Sequence, residues 1–232
     1  MIHGGILAAG EGSRLLRDGF AVPKPLVRVA GVTLVERAAR NLLSAGAASL
    51  TVIFNESEGD CAEHLAAALA DADADVHIFR KTTRSSLESL GDVLKRMPPG
   101  PALVSTVDAF CAREAFVSFA REARAFEGST VLAVTPLVAD ENPLWVRWKS
   151  DAAISEIGGE SGDVVTAGIY LFSERVRALE PPPELPRLRD FLRWLVLRGE
   201  PLYGVAISEV VDVDRGEDVE LAEALARRMG ER

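Results

Sequence analysis

Residues 5–15 read GILAAGEGSRL. A short apolar run ends in small residues, Ala8, Ala9, Gly10, Gly12 and Ser13, and a cation, Arg14, follows at once. A glycine-rich turn after a strand presents backbone N–H groups and suits phosphate binding. The same turn also serves as a tight strand-to-helix connection. The dinucleotide fingerprint G-x-G-x-x-G is met by Gly10 and Gly12, but Leu15 stands at its third glycine, and Gly19, Pro23 and Pro25 interrupt the helix that should follow. No Lys-Ser/Thr pair stands at the Walker distance from a glycine. What remains is a long loop, GEGSRLLRDGFAVPKPL, at residues 10–26. Within the first 30 residues four cations, Arg14, Arg17, Lys24 and Arg28, stand against two anions, Glu11 and Asp18, in a chain of net charge -9. A local positive pocket in an acidic protein suits a small polyanion. Lys24 lies between Pro23 and Pro25, and two fixed φ angles predict an extended segment outside any helix.

Outward from this loop, strand and helix patterns alternate. HGGILAA, SLTVIF, DVHIF and ALVSTV read as strands; TLVERAARNLLSAG, CAEHLAAALADA, SLESLGDVLKRM and REAFVSFAREARAF read as helices. After Gly128 the rhythm changes to STVLAVTPL, LWVRWK, AAISEI and VVTAGIYLF, strands with little helix between them. A helix over LRDFLRWLVLRG, short strands over PLYGVAI and EVVDV, and a closing helix over EDVELAEALARRM complete the chain. This predicts an α/β fold of Rossmann-like three-layer α/β/α form, with a mixed, mainly parallel central sheet and a small antiparallel portion. Residues 1–232 are expected to form one domain, with 1–128 and 129–232 as its two functional halves.

The acidic charge argues against a broad nucleic-acid footprint, which needs a basic face. No run of about 18 uncharged apolar residues is present, so no membrane span is expected. MIHGG lacks a basic n-region and an apolar h-region, so a cytoplasmic location is expected. Two cysteines, Cys61 and Cys111, are too few for a disulfide framework.

LAAGEGSRL…PKPLV followed by GVTLVERAARNLLSAG resembles the nucleotidyltransferases that join a nucleoside triphosphate to a phosphorylated acceptor, namely the sugar-phosphate nucleotidyltransferases and their cytidylyltransferase relatives. The resemblance continues along nearly the whole chain. It implies the reaction NTP plus R-phosphate to NDP-R plus pyrophosphate, in which an acceptor oxygen attacks the α-phosphorus in line. Such chemistry needs positioning and positive charge more than a covalent nucleophile. On this reading backbone amides at Ala9, Gly10, Gly12 and Ser13 cradle the triphosphate. Arg14 holds its β- and γ-phosphates, Lys24 neutralises charge at the α-phosphate, and main-chain groups at Leu7 and Ala8 read the base edge.

The resemblance also implies a Mg²⁺ cofactor. Asp108 ends the strand ALVSTV, where ligands bind in such sheets, and family members carry a metal-binding aspartate there. In EVVDVDRGEDVELAEAL, Asp212 and Asp214 are two apart and share a strand face, with Val211 and Val213 opposite. The run resembles the family's DVDxxxDLxxAE ending, in which Asp214 would be the ligand. Asp214 and Glu217 also read as a capping box for the last helix. KTTRSSLESL resembles the R-x-x-S stretch of the cytidylyltransferase branch and nominates Ser85, Ser86 or Ser89 for the base; the same serines read equally as a helix N-cap. TAGIYLF resembles the family's AGIY strand near the acceptor, which nominates Gly168, with Glu156 in ISEIG as a contact for acceptor hydroxyls.

Two family marks are missing. The stretch ISEIGGESGD holds no lysine where many sugar nucleotidyltransferases carry a Glu-Lys pair, and the base motif of the hexose branch is absent. Lys149, Arg147 and Arg189 are the candidates for the cation on the acceptor phosphate. A phospho-alcohol, an alditol phosphate or an unusual sugar phosphate thus enters as acceptor beside the hexose phosphates. Molybdopterin nucleotidyl transfer and a non-catalytic nucleotide-binding paralogue are the alternatives, and the oligomeric state is open.

Overall fold

The computed structural model of the protein describes residues 1–137 and 142–230. Its first half runs β1 (Ile2–Ala8), α1 (Ser13–Arg17), β2 (Arg28–Val29), β3 (Val32–Thr33), α2 (Leu34–Ser44), β4 (Ala47–Phe54), α3 (Gly59–Ala68), β5 (Asp75–Arg80), α4 (Ser86–Arg96), β6 (Ala102–Thr106), β7 (Ala109–Cys111) and α5 (Arg113–Ala123). The second half runs β8 (Thr130–Thr135), β9 (Trp145–Trp148), β10 (Ile154–Ile157), β11 (Val164–Phe172), α6 (Glu174–Arg177), α7 (Leu188–Leu197), β12 (Leu202–Ala206), β13 (Val210–Asp212) and α8 (Gly216–Arg228).

Period-two patterning places one sheet between two cores. In β1, Ile6 and Ala8 enter one core while Leu7 and the following Ala9 enter the other. β8 alternates likewise, with Val131 and Ala133 on one side and Leu132 and Val134 on the other. The first core is closed by Val35 and Leu42 of α2, Phe116 and Phe119 of α5, and Leu225 of α8. The second is closed by Leu90 and Val93 of α4 and by Phe191, Leu192 and Leu195 of α7. Strands buried on both faces read as near-continuous apolar runs, which is why ILAA and TVIF stand out in the sequence.

The main sheet has the order β10-β9-β11-β6-β1-β4-β5, with β8 on β11 and β12 on β8. β1 runs parallel to β4 and β6, and β4 to β5. The second half supplies the antiparallel portion: β11 runs against β6, β8 and β9, and β10 against β9. The expected mixed, mainly parallel α/β sheet is therefore the observed one. Among the described residues no helix is long and apolar enough to cross a membrane.

Glu58, just before α3, carries a buried Oε2 without a hydrogen-bond partner, and burial pushes its carboxyl up to about 7. A carboxyl raised on folding binds a proton that the unfolded chain releases, so this group's contribution to stability falls as pH rises from its ordinary 4.5 to about 7. Glu58→Gln is expected to raise stability at pH 8 by ~1 kcal/mol, discounted for partial exposure, and to change little at pH 4. Urea unfolding at the two pH values reads the difference.

Candidate active site

The C-terminal ends of β1 and β6 lie side by side, where Val107 N donates to Leu7 O at 3.1 Å. Asp108 follows this junction, and β7 then pairs antiparallel with β13, setting Asp212 opposite Ala109. Val213 N donates to Asp108 O at 3.0 Å. The result is that carboxylate oxygens of Asp108, Asp212 and Asp214 all lie within 4.8 Å of one another. Val211 and Val213 are buried, so the two-residue spacing does place both aspartates on one side.

The start of α8 differs from the expected capping box. The helix begins at Gly216, and Asp218, rather than Glu217, caps it: Asp218 Oδ2 accepts from Asp214 N at 3.0 Å and from Arg215 N at 2.8 Å. The Asp214 carboxylate instead meets two cations. Arg14 donates to Asp214 Oδ2 at 2.5 Å, and Lys24 Nζ donates to Asp214 Oδ1 and, at 2.6 Å, to Asp108 Oδ2.

The glycine-rich loop is shaped around Lys24. Gly12 has φ 57°, and a Cβ there would lie 2.8 Å from Lys24 Cβ. Lys24 is not extended as its prolines predict. It opens a 3₁₀ turn over Lys24–Leu26, with Leu26 N donating to Pro23 O at 2.9 Å and Val27 N to Lys24 O at 3.1 Å. Pro25 tolerates the turn because its missing N–H falls in the first turn, where no intrahelical partner exists. Only 7% of Lys24 is exposed. Burial by itself would push its ammonium pKa down; the facing carboxylates of Asp108, Asp214 and Asp212 outweigh this and raise it. Asp108 mirrors it: burial favours the neutral acid, but Lys24 and a Thr106 hydrogen bond hold the carboxyl below its ordinary range.

The remaining candidates fall into place as follows. Leu7, Ala8 and Ala9 are buried at the strand end, and Gly10 and Ser13 are exposed in the loop. A Cβ on Gly10 would meet nothing within 4 Å. Asn55, which the sequence analysis missed, directly follows β4 beside this loop: its Nδ2 donates to Ala9 O at 3.3 Å, and its Oδ1 accepts from Ser57 N and Thr82 Oγ1. Its only sequence signal is a carboxamide placed directly after a parallel strand. Ser85 is the N-cap of α4, accepting from Glu88 N at 3.1 Å; Ser86 Oγ accepts from Leu188 N at 3.0 Å; and Ser89 Oγ is 2.7 Å from Thr83 Oγ1. None of the three belongs to the ion-pair cluster.

A cavity of about 240 Å³ opens from Asp108 and Asp212 and is lined by Ser86, Thr106, Thr166, Tyr170, Arg187 and Arg189, with Gly168 in its wall. Gly168 has φ 71° at the bulge of β11, and a Cβ there would lie 2.6 Å from Thr106 Oγ1. Glu156 is not among the lining residues; it pairs with Arg147 at 2.8 Å on the β9–β10 edge. A larger groove of about 880 Å³, between α4 and the proline run 181–186, holds none of the three aspartates.

Comparison with solved structures gives close fold matches. The inositol-1-phosphate CTP transferase from T. maritima superposes with a TM-score of 0.80 at 18% identity, covering 97% of this chain and 96% of that one. A protein assigned as a glucose-1-phosphate thymidylyltransferase from Bacillus anthracis, in complex with a sucrose, superposes with a TM-score of 0.83 at 20% identity, covering 98% and 96%. No curated protein sequence gives a match. Residues 4–170 match the family described as the MobA-like NTP transferase domain. That span starts in β1 and ends in β11, so it takes in the glycine-rich loop, Lys24 and Asp108. The chain therefore belongs to the MobA-like NTP transferases and is a nucleotidyltransferase.

Proposed function

We propose that the protein joins a nucleoside triphosphate to a small phosphorylated, hydroxyl-bearing acceptor, such as a sugar phosphate or a phospho-alcohol, and releases pyrophosphate. The observation that carries this reading is Lys24 of the glycine-rich loop, buried between Asp214 and Asp108, the latter also lining the cavity. The proposal treats the chain as one nucleotidyltransferase domain in which residues 1–128 serve mainly the nucleotide and 129–232 mainly the acceptor.

Backbone N–H groups from Ala9 to Ser13 would face the triphosphate, and the open space at Gly10 admits a close approach. Arg14 would hold the distal phosphates with its planar fork. Lys24 would lie at the α-phosphate, stabilising charge as the acceptor oxygen forms its bond to phosphorus and the α–β bridge oxygen departs with pyrophosphate. Asp108, Asp212 and Asp214 fit Mg²⁺, being hard oxygen donors close enough to converge on one ion. Bound there, Mg²⁺ would neutralise phosphate charge.

The part of the missing Glu-Lys pair would fall to two arginines. Arg187 and Arg189, at the start of α7, line the cavity that begins at Asp108, and Thr166 and Tyr170 supply hydroxyls to its wall. Two cations opposite the nucleotide side suit an acceptor phosphate, and the hydroxyls suit a polyol. Arg189→Ala is expected to raise the acceptor KM by about 10–100-fold, the worth of one charge-assisted hydrogen bond, and to leave the nucleotide KM unchanged.

The test is pyrophosphate release with ATP, CTP, GTP, UTP and dTTP against a panel of hexose, alditol and inositol phosphates. Turnover that requires both Mg²⁺ and one of these acceptors supports the reading. Turnover with molybdopterin alone, or none with any acceptor despite nucleotide binding, overturns it.

A further inference from the structure

The two cations assigned to the triphosphate and the carboxylates assigned to the metal are bound to each other. Arg14 and Lys24 both hold Asp214, and Lys24 also holds Asp108. Lys24 is buried, so a metal ion that took Asp108 and Asp214 from it would leave an ammonium without its counter-charges, which is costly. A triphosphate that took Arg14 and Lys24 would leave three carboxylates, mutually within 4.8 Å, facing its own negative charge. When both arrive together, every one of these charges has a new partner.

We propose that the site works by exchange of ion-pair partners: the metal takes the carboxylates, the triphosphate takes Lys24 and Arg14, and each therefore binds more tightly when the other is present. The inference rests on the reading of the site given above and adds a coupling within it. The coupling is a free energy shared by two ligands, so it is reciprocal, and such couplings commonly amount to about 5–150-fold in affinity. It is distinct from chelation of the metal by the nucleotide in solution, because it resides in named protein contacts. Its signature is a gain without metal. With Asp214 made neutral, Arg14 loses its carboxylate partner and Lys24 keeps its pairing with Asp108, so a metal-free nucleotide meets Arg14 released and Lys24 held by one carboxylate fewer.

The experiment is isothermal titration of the nucleotide that gives the largest thermal shift among ATP, CTP, GTP, UTP and dTTP, in EDTA and in Mg²⁺. It uses the full chain and the variants Asp214→Asn, Arg14→Met/Lys24→Met, and the triple combination, with thermal unfolding confirming that each is folded. Asp214→Asn is expected to tighten metal-free binding about 5–50-fold and to reduce the Mg²⁺ enhancement. In the background lacking both cations, the same substitution is expected to leave metal-free affinity unchanged. Unchanged or weaker metal-free binding by Asp214→Asn overturns the exchange. Equal tightening with and without the cations also overturns it, since relief of long-range repulsion would then account for the gain. In both cases the proposed function stands, because wild-type binding in Mg²⁺ persists. Absence of nucleotide binding by the wild type in both media overturns the function itself.

Discussion

Lys24→Met is expected to lower kcat by about 10²–10³-fold, the usual loss when one preorganised charge is removed from a developing oxyanion. Methionine preserves the aliphatic stem that Gly12 packs against, so the loop keeps its support. The missing ammonium leaves Asp108 and Asp214 facing each other without it, which costs ~1–3 kcal/mol of stability at neutral pH. The sign of the pH dependence follows from Asp108. Its carboxyl is held below the ordinary range in the fold, so the pairing stabilises above that range and is lost as pH falls through the depressed value. The stability gap between wild type and variant should therefore narrow on acidification. Pyrophosphate release gives the first quantity, and urea unfolding at neutral and acidic pH gives the second. Full turnover by Lys24→Met would remove the central member of the proposed machinery.

Gly12→Ala is expected to lower kcat/KM by about 10–100-fold. Two constraints meet at this residue. Its φ of 57° costs an alanine ~1–2 kcal/mol, and the new methyl would lie 2.8 Å from Lys24 Cβ. That atom is the root of the lysine side chain, held in the turn between Pro23 and Pro25, so it cannot swing aside. Relief must come from displacing the loop or Lys24, and a shift of about 1 Å in a positioning group costs on the order of 10²-fold. Gly10→Ala is the control. Its Cβ meets nothing within 4 Å and its φ is not left-handed, so folding stability should hold, and any loss of nucleotide affinity there reports crowding by the ligand itself. Steady-state kinetics with thermal unfolding of the two variants separates these outcomes; equal kinetics for both would show that Gly12 does not position Lys24.

Much of the architecture was legible because burial on both sheet faces writes itself as apolar runs, and helices facing a core write a 3.6-residue period. The strands at ILA, TVIF and ALVST and the helices after them are local readings of that kind. The short elements were not legible. The one-turn α1, the 3₁₀ turn at Lys24 and the strand β7 are too brief for any periodicity, and the partner strand of β7 lies about 100 residues further along the chain. The cap of α8 shows how small the margin is. Asp-x-x-Glu at 214–217 and Arg-x-x-Asp at 215–218 compete, and the helix starts one residue later than the more familiar pattern predicts. That single step leaves the Asp214 side chain to meet Lys24 and Arg14 rather than the helix.

The sequence by itself determined the alternating α/β plan, the glycine-rich loop with Arg14, Arg17 and Lys24, and the two-residue spacing that puts Asp212 and Asp214 on one face. These depend on neighbours within a few residues, where backbone geometry alone dictates which side chains share a face. Only the tertiary structure decided that Asp108 and Asp214 converge on Lys24, that Asn55 holds the loop, and that Arg187 and Arg189 line the cavity while Glu156 turns to Arg147. Those contacts join residues that lie far apart in the chain. The pairing of β7 with β13 and the bulge of β11 at Gly168 bring several of them together, and strand pairing and register are properties of the assembled sheet.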